Sequence, residues 1–340
     1  MKHALAVLIV LFNAVEPALL RAQSPAPQAN PPLSTQPGLP DLARDFAQPP
    51  PEWKSRPLWF WNGSLDQART TEIMEQSVAS GYYGFGILPT KDMGVAFMSP
   101  AFLAHYRHAV ETAARLGLKM CLYDEFWFPS GSAGGLLRER HPEALGKRLD
   151  LVETNATGPA TVVLEAPAGD LMAAVAMNTA TFERLDVSAH IQNGRLSWPA
   201  PAGAWRVMLF VCVPDGAGNL VDYLDPDAVK KFVSLTYEQY YRAFPEHFGK
   251  TIDSAFYDEP TFHWIQGGRA WTPGFNREFE RRHGHSPALL YPALWHDIGA
   301  DTASARNRLF GLRAEMFSTG FIKTLADWCR AHAIELTGHV

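Results

Sequence analysis

The sequence predicts an α/β fold, in which about five βα units form part of a (β/α)8 TIM-type barrel and a small antiparallel β domain is inserted among them. Short apolar runs alternate with helical periodicity from residue 53 onward, a rhythm typical of parallel βα units. This rhythm stops over residues 149–214, where turn residues separate short alternating strands, and it then resumes. Because a complete barrel has eight strands, five units predict a barrel that the chain contains only in part.

The composition is that of an ordinary globular protein, and it excludes some partners. The 340 residues are 47% hydrophobic and 19% charged, which is enough to build a sizeable core. The formal net charge is −5 and no cluster of lysines and arginines offsets it, so we expect no nucleic-acid partner. The sequence has no phosphate-binding loop or dinucleotide fingerprint, so we expect no nucleotide cofactor.

The N-terminus predicts export. Lys2 and His3 precede an apolar stretch, and Leu20-Arg21-Ala22 offers a cleavage point, so residues 1–22 are predicted to be a secretory signal peptide. An uncleaved N-terminal anchor is the alternative. Residues 23–52 are rich in proline and are predicted to be a disordered linker. We therefore expect a periplasmic or extracellular protein with no membrane span once the signal is removed.

Residues 53–148 are predicted to hold the first βα units of the barrel. Apolar runs predict the strands, and apolar residues at helical spacing predict the helices between them. In chain order, the predicted elements are a strand over 56–61, a helix over 66–80 stopped by Gly81, a strand over 82–88, a helix from Ser99-Pro100 to Leu116 capped by Gly117, and a strand over 119–123.

Residues 149–214 are predicted to be the inserted β domain, and residues 215–340 are predicted to continue the barrel. A second independent domain is the alternative to an insertion, but the return of the βα rhythm favours insertion. A complete open α/β domain that ends on a strand is the alternative to a partial barrel. The predicted elements are strands over 160–165, 171–177, 181–186 and 205–211, a helix over 225–244 with Asp225 as N-cap, a strand over 253–257, a helix over 306–332 and a strand over 334–337.

The tripeptide Tyr-Asp-Glu occurs twice, each time at the end of a predicted buried strand. The two copies occupy residues 123–125 and 257–259, and aromatic residues and a proline follow each of them. In a parallel barrel the active site lies at the C-terminal ends of the strands. Glycoside hydrolysis needs one carboxyl group to protonate the leaving oxygen and a second to act as base or nucleophile. A single Asp-Glu pair is more simply a cap or an ion pair, but two matched pairs favour catalysis.

Glu259 is predicted to be the general acid, and Glu125 is predicted to be the base or nucleophile. Pro260, Phe262 and Trp264 follow Glu259, so we expect its carboxyl group to lose hydration and to stay protonated near neutrality. The distance between the two carboxyl groups distinguishes the mechanisms. A separation of about 5–5.5 Å indicates retention, and roughly 6.5–9.5 Å indicates inversion.

Eight further residues at the predicted strand ends are candidate substrate contacts. Aromatic rings stack on sugars, and small polar groups bond to sugar hydroxyls. Simpler interpretations are packing for the tryptophans, a turn for Asn62-Gly63, and an ordinary core or surface role for the histidines. The candidates are Trp61, Asn62, Asp124, Trp127, Asp258, His263, Trp264 and His339. No cysteine or histidine spacing indicates a zinc site, and no metal ligand is assigned.

Four motifs together resemble those of glycoside hydrolase family 106, a group that includes α-L-rhamnosidases. They are Arg56-Pro-Leu-Trp-Phe-Trp-Asn-Gly63, Leu122-Tyr-Asp-Glu with Pro-Ser-Gly-Ser-Ala-Gly-Gly135, Val221-Asp-Tyr-Leu-Asp-Pro226 and Phe256-Tyr-Asp-Glu-Pro260. The resemblance runs from about Trp53 to the C-terminus. It implies a larger multidomain enzyme with a catalytic (β/α)8 barrel, inverting chemistry by two glutamates and a calcium-assisted site. Glu125 and Glu259 are the positions that match the two glutamates.

The sequence therefore predicts an exported glycosidase, most simply an α-L-rhamnosidase that cleaves terminal sugars from polysaccharides or glycosides. Two alternatives stay open. One is a retaining exo-glycosidase of another specificity, whose nucleophile would lie beyond residue 340. The other is a non-catalytic barrel fragment that binds carbohydrate through Trp61, Trp127 and Trp264.

Overall fold

The computed structural model of the chain describes residues 39–216 and 218–339. The predicted signal peptide, residues 1–22, and the first part of the predicted linker lie outside these residues. Helix α1, Leu39–Ala47, lies where the sequence predicts a disordered linker. Its Leu42 and Phe46 are four residues apart, which is the spacing of one helix face, whereas the proline content of residues 23–52 predicts a linker. Residues 51–340 form a compact unit by themselves.

Eleven strands occur in the part of the chain that the structure describes. They are β1 Leu58–Trp61, β2 Gly84–Pro89, β3 Lys119–Tyr123, β4 Lys147–Glu165, β5 Asp170–Asn178, β6 Arg184–Asp186, β7 Ile191–Gln192, β8 Arg195–Pro214, β9 Ile252–Asp258, β10 Ala270–Trp271 and β11 Glu335–His339.

The same described residues contain nine α-helices, and none is long and apolar enough to cross a membrane. A π-helical turn, Ser318–Ile322, joins the last two, and a 3-10 helix, Ala288–Leu294, follows the seventh. Besides α1 they are α2 Gln67–Ala79, α3 Pro100–Leu116, α4 Leu136–Arg140, α5 Pro226–Leu235, α6 Tyr237–Ala243, α7 Phe275–His283, α8 Thr302–Phe317 and α9 Lys323–Ala331.

Five strands form a wholly parallel sheet in the order β1-β2-β3-β9-β11. Helices α2 and α3 connect its first three strands, and they begin as the sequence predicts. The Asp66 carboxylate accepts a hydrogen bond from the Arg69 N–H, and the Ser99 hydroxyl accepts one from the Phe102 N–H. The predicted mixed α/β architecture with a parallel sheet is confirmed.

A second sheet is antiparallel and has the order β10-β4-β8-β5-β6, with β7 paired to β8. Its centre is a long antiparallel pair of strands, β4 and β8, whose paired residues extend from Lys147 opposite Pro214 to Glu165 opposite Arg195. The two-residue strand β10 joins the sheet from residues that follow β9. The antiparallel region predicted over 149–214 is therefore extended by a strand from a later part of the chain.

Alternate side chains of β5 and β8 face two different cores. Met208 and Phe210 pack with residues of α7, α8 and the 3-10 helix, whereas Val207 and Leu209 pack with Trp198 and Trp205 of the same sheet. A third core lies around the parallel sheet and includes residues of α3, α5, α6 and α9. This alternation is what the two-residue period of a strand predicts for a sheet that is buried on both faces.

Candidate functional site

Neighbouring strands of the parallel sheet end at one edge, and this edge carries the candidate site. Strands β3 and β9, which pair in parallel, end at the two Tyr-Asp-Glu repeats. Strand β11 pairs with β9 on the other side, with His339 opposite Asp258. Parallel register therefore brings the carboxylates of both repeats and His339 to the C-terminal edge of the sheet.

Asp124 lies buried beneath this edge. Its Oδ1 accepts a hydrogen bond of 2.5 Å from the Ser130 hydroxyl, and its Oδ2 accepts one of 2.9 Å from the Tyr237 hydroxyl. Burial raises the pKa of Asp124 well above its ordinary value, although the bond from Ser130 opposes this shift. Both oxygens are occupied and shielded from solvent. Asp124 is therefore not placed to contact substrate directly, as predicted, and instead supports the loop after β3 through Ser130.

Asp258 is also buried, and it is linked to the first repeat. Its Oδ2 accepts a hydrogen bond of 2.8 Å from the Tyr123 hydroxyl, and its Oδ1 lies 3.2 Å from His339 Nδ1. The Ser130 N–H donates to the Asp258 carbonyl, and the Asp258 N–H donates to the Ser130 hydroxyl, each at 2.8 Å. Because Ser130 also bonds to Asp124, a single serine ties the two repeats together.

Glu125 is fully buried in a ring of donors from its own loop. Its carboxylate accepts hydrogen bonds of 2.6–2.9 Å from five backbone N–H groups, and the Ser132 hydroxyl lies 3.0 Å from Oε1. Burial raises the pKa of Glu125, and the N–H bonds oppose that shift. Since nearly every partner is a donor, the arrangement suits an ionised carboxylate with no lone pair left for water. The five N–H groups belong to Phe126, Gly131, Ser132, Ala133 and Gly134.

Glu259 has the opposite environment. Its side chain is 49% exposed, and its backbone has a φ of +47°, in the left-handed region that non-glycine residues rarely adopt. One carboxylate oxygen lies 3.6 Å from His339 Nδ1, and the Glu259 N–H donates to the His339 carbonyl. The expectation that Glu259 loses its hydration is wrong here, because the residues after it do not cover the carboxyl group.

Asp258, Glu259 and His339 form a group that could hold a metal ion. One ligand atom from each lies within 4.8 Å of the others. Calcium takes about six to eight oxygen ligands, whereas this set offers one imidazole nitrogen and two carboxylates, and Tyr123 already binds one oxygen of Asp258. Such a mixed set suits a transition metal better than calcium. These described residues do not by themselves fit the calcium site that the family resemblance implies.

The predicted aromatic contacts divide into one core residue and two exposed rings. Trp61 is only 3% exposed and lies edge-on to Trp59, Phe102 and Tyr106, so its predicted stacking on a sugar is wrong. Trp127 and Trp264 are both exposed. Trp127 stacks on Phe128 and Trp264 packs against His263, and the exposed part of each ring is available to a ligand.

The remaining predicted polar contacts lie at the surface but apart from the carboxylate group. Asn62 is exposed at the end of β1 and lines a small cleft with residues of α2. His263 is exposed, packs against Trp264 at 4.8 Å between ring centroids, and has Nδ1 2.8 Å from the Thr261 hydroxyl. Neither is among the residues that bond to Asp258 or Glu259.

Several residues of the site were not selected by the sequence reasoning. Ser130 and Tyr237 complete the network around Asp124, and Tyr123 supports Asp258. Tyr237 lies in α6, where its spacing is that of an ordinary core aromatic, so no sequence signal distinguishes it. Asp92 is a further exposed carboxylate, in the turn after β2, and its φ of +69° is also left-handed.

Comparison with known families agrees with this geometry. The sequence model of glycoside hydrolase family 106, described as alpha-L-rhamnosidase, matches residues 147–338, which is more than half of the chain. The chain belongs to this family. The family 106 match includes the antiparallel sheet, β9 with the second Tyr-Asp-Glu repeat, and most of β11.

A solved structure has the same fold as this family 106 chain. It is that of a rhamnosidase from Novosphingobium sp. PP1Y, with a TM-score of 0.65 and 14% sequence identity. The superposition covers 89% of this chain and 47% of the rhamnosidase, so the family 106 chain spans about half of that protein's length. Among proteins of curated function, none matches the sequence.

Proposed function

We propose that this protein is a glycoside hydrolase that cleaves α-L-rhamnosides or closely related glycosides at the C-terminal edge of its parallel sheet. The observation that carries the proposal is Glu259, an exposed carboxyl group on a strained backbone beside Asp258 and His339. Family membership supports the reaction class. Exposed Glu259 can reach a glycosidic oxygen, whereas the other three carboxylates of the two repeats are buried.

In this proposal Glu259 transfers a proton as acid or base, and its neighbours orient it. His339 Nδ1 lies between the carboxylates of Asp258 and Glu259 and can donate to either of them. Asp258, fixed by Tyr123, holds His339 in place. Glu125 keeps the loop after β3 folded and is proposed as a positioning residue, in place of the base role predicted from the sequence.

We further propose that the five parallel strands are part of a (β/α)8 barrel. Their parallel order, their C-terminal edge of polar groups and the helices α2 and α3 between strands support this architecture. Export to the periplasm or the extracellular space is a proposal that rests on residues 1–22 alone. A carbohydrate is the proposed partner.

Release of aryl alcohol from a panel of 4-nitrophenyl glycosides tests the proposed function. We expect cleavage of the α-L-rhamnoside and weak or no cleavage of the α-D-glucoside, β-D-galactoside and β-D-xyloside. The assay is repeated with and without added calcium, because the described residues do not fit that ion. Preferential cleavage of another sugar would change the proposed specificity, and no cleavage of any sugar by the folded protein would contradict the proposed function.

A further inference from the structure

Tyr223 is a buried residue of the turn between the antiparallel sheet and α5, and it contacts both of the segments that follow the Tyr-Asp-Glu repeats. Its hydroxyl donates a hydrogen bond to the carbonyl of Ser130, in the loop after β3. Its ring packs edge-on against Phe262, in the segment after β9, with 6.3 Å between the ring centroids. Tyr223 is only 3% exposed, so its side chain is closed to a substrate.

The hydroxyl of Tyr223 holds the chain that precedes Glu259. The Ser130 N–H donates to the Asp258 carbonyl, and the Asp258 N–H donates to the Ser130 hydroxyl, each at 2.8 Å. Burial raises the pKa of Tyr223 well above its ordinary value, and the nearby Glu125 carboxylate raises it further, so the hydroxyl keeps its proton and acts as a donor. Fixing Ser130 therefore also fixes Asp258, to which Glu259 is covalently joined.

The backbone approaches Tyr223 closely on two sides. A Cβ atom at residue 131 would lie 2.9 Å from the Tyr223 hydroxyl oxygen, and one at residue 320 would lie 2.7 Å from its carbonyl oxygen. Gly320 belongs to the π-helical turn between α8 and α9, a type of turn that is often found at functional sites. Both contacts require glycine, so the position of Tyr223 is set by the packing of the chain around it.

The ring of Tyr223 holds the chain that follows Glu259. Phe262, three residues after Glu259, contacts the ring of Tyr223 and also that of Phe317, whose centroid is 5.4 Å away. The Arg313 guanidinium lies over the same Phe262 ring, 5.0 Å from its centroid. Aromatic and cation–π contacts of this kind tie the segment after β9 to Tyr223 and to α8.

Glu259 needs this support because its backbone is strained. Its φ of +47° lies in the left-handed region, where a non-glycine residue stays only if the surrounding structure enforces it. Its side chain is 49% exposed, so the direction of the carboxyl group depends largely on that backbone. The anchors before and after Glu259 therefore decide where its carboxyl group points.

We propose that Tyr223 is a positioning residue for Glu259, with its hydroxyl fixing the chain before Glu259 and its ring fixing the chain after it. The proposal rests on the proposed function, because that function assigns the proton transfer to Glu259. A carboxyl group that is held in the reactive position transfers its proton more often than one that samples several directions. Tyr223 therefore contributes to turnover without any contact with the substrate.

Backbone hydrogen exchange tests this positioning without any reliance on catalysis. The variant is Tyr223→Phe in the full chain, which keeps the ring and removes only the hydroxyl. The Glu259 N–H donates to the His339 carbonyl, and its exchange reports how firmly this part of the chain is held. We expect that exchange to become roughly five- to tenfold faster, the effect of losing one buried hydrogen bond.

Tyr291→Phe is the matched control. Tyr291 is also fully buried, and its hydroxyl donates a hydrogen bond of 2.5 Å to Asn276, but it lies in the core beside the antiparallel sheet. We expect this variant to leave the exchange of the Glu259 N–H within about twofold of the unsubstituted protein. Equal exchange rates at Glu259 in Tyr223→Phe and Tyr291→Phe would overturn the proposal.

Kinetics then connect Tyr223 to the reaction. We expect Tyr223→Phe to lower kcat on an α-L-rhamnoside roughly tenfold while KM stays within about twofold, because the substrate still binds but the proton is transferred less often. In the Glu259→Gln background the same substitution should have no further effect, because no carboxyl group is left to position. A similar loss of kcat in both backgrounds, or full activity of Tyr223→Phe, would contradict the positioning role.

The proposed function and the positioning role fail in different ways. If no glycoside is cleaved but Tyr223→Phe still accelerates exchange at Glu259, the proposed function is wrong, whereas Tyr223 does fix the chain around Glu259. If the unsubstituted protein cleaves the rhamnoside and Tyr223→Phe is equally active, the proposed function stands and the positioning role is wrong.

Discussion

Glu125 and Glu259 end identical tripeptides, yet the chain that follows gives them opposite environments. After Glu125, Gly131 and Gly134 have φ values of +131° and +64°, which lets the loop turn back and aim its N–H groups at the carboxylate. After Glu259 comes Pro260, which has no N–H group to donate. One carboxylate therefore organises a loop, and the other faces solvent.

The substitution Glu125→Gln tests the positioning role. Whichever way the amide is placed, its NH2 group faces at least two backbone N–H groups that need an acceptor. We expect the free energy of unfolding to fall by roughly 2–3 kcal/mol, measured by chemical denaturation. The control Glu139→Gln, at an exposed position of α4, should change it by less than about 0.5 kcal/mol. Lost turnover at unchanged stability would instead support the base role predicted from the sequence.

Asp222 is a further buried carboxyl group, in a motif that the family resemblance includes but the site does not use. Its Oδ1 accepts a hydrogen bond of 3.1 Å from the Leu224 N–H, and its Oδ2 lies 3.7 Å from Lys147 Nζ. Burial raises the pKa of Asp222 to about 6, against the opposing effect of Lys147. A carboxyl group whose pKa is higher in the folded state binds its proton more tightly there than in the unfolded chain.

The raised pKa of Asp222 makes the protein less stable as the pH rises. As pH rises from about 4 to about 6, Asp222 loses its proton more readily in the unfolded chain, so it lowers the free energy of unfolding over this range. We expect the stability of Asp222→Asn relative to the unsubstituted protein to increase by about 2 kcal/mol between pH 4 and pH 7. Asp227→Asn is the control, because Lys230 lowers the pKa of exposed Asp227, and its difference should have the opposite sign. A difference for Asp222→Asn that does not vary with pH would contradict the account.

At the scale of elements, the pairing of β4 with β8 depends on one close approach of two backbones. Gly158 faces Gly203, and a β-bulge interrupts the register between Gly158 and Ala160. A Cβ atom at residue 158 would lie 1.8 Å from the Pro201 carbonyl oxygen. Only glycine fits this position without moving a strand.

Gly158→Ala is therefore expected to destabilise the protein by roughly 2–3 kcal/mol, because one of the paired strands must shift to admit a methyl group. The measurement is the free energy of unfolding by chemical denaturation. The control is Gly311→Ala in α8, where an added methyl group meets nothing within 4 Å and should stabilise the helix by roughly 0.5–1 kcal/mol. If Gly158→Ala were as stable as Gly311→Ala, the close approach of the β4 and β8 backbones at Gly158 would be wrong.

The regular elements with clear end signals are the ones that the sequence predicts well. Strand β3 has its predicted bounds, and the caps at Ser99 and Asp225 are observed. Strands β4 and β8 are longer than predicted, because prolines and glycines inside them are typical of turns, whereas both strands continue through them with a bulge between Gly158 and Ala160. The predicted helix over 225–244 divides into α5 and α6 at Thr236, and α7 was not predicted.

The sequence predicts where the candidate site lies, but it does not predict which of its side chains are buried and which are exposed. Parallel strands carry their ends to one edge, so the meeting of Asp258, Glu259 and His339 follows from the pattern of strands alone. The burial of Glu125 does not follow from the pattern of strands, because it depends on how the loop after β3 folds back over the carboxylate. The position of Trp61 was equally ambiguous, since alternate residues of β1 face opposite sides of the sheet.

At the scale of the whole molecule, the chain passes repeatedly between its two sheets. After β9 of the parallel sheet, β10 joins the antiparallel sheet. The helical segment over 302–331 packs through Leu309 against the antiparallel sheet and through Leu325 against the core of the parallel sheet. These crossings join the antiparallel sheet to the sheet that carries Glu259, in agreement with a single compact unit over residues 51–340.

The central claim is that exposed Glu259 transfers the proton in glycoside cleavage, and the most direct test is rhamnose release by Glu259→Gln. We expect its kcat on an α-L-rhamnoside to fall by about 10²–10⁴-fold, the contribution typical of a general acid or base, while its unfolding midpoint stays unchanged. Glu139→Gln, at an exposed site on α4, should retain full activity. Near-normal turnover by a folded Glu259→Gln protein would contradict the claim.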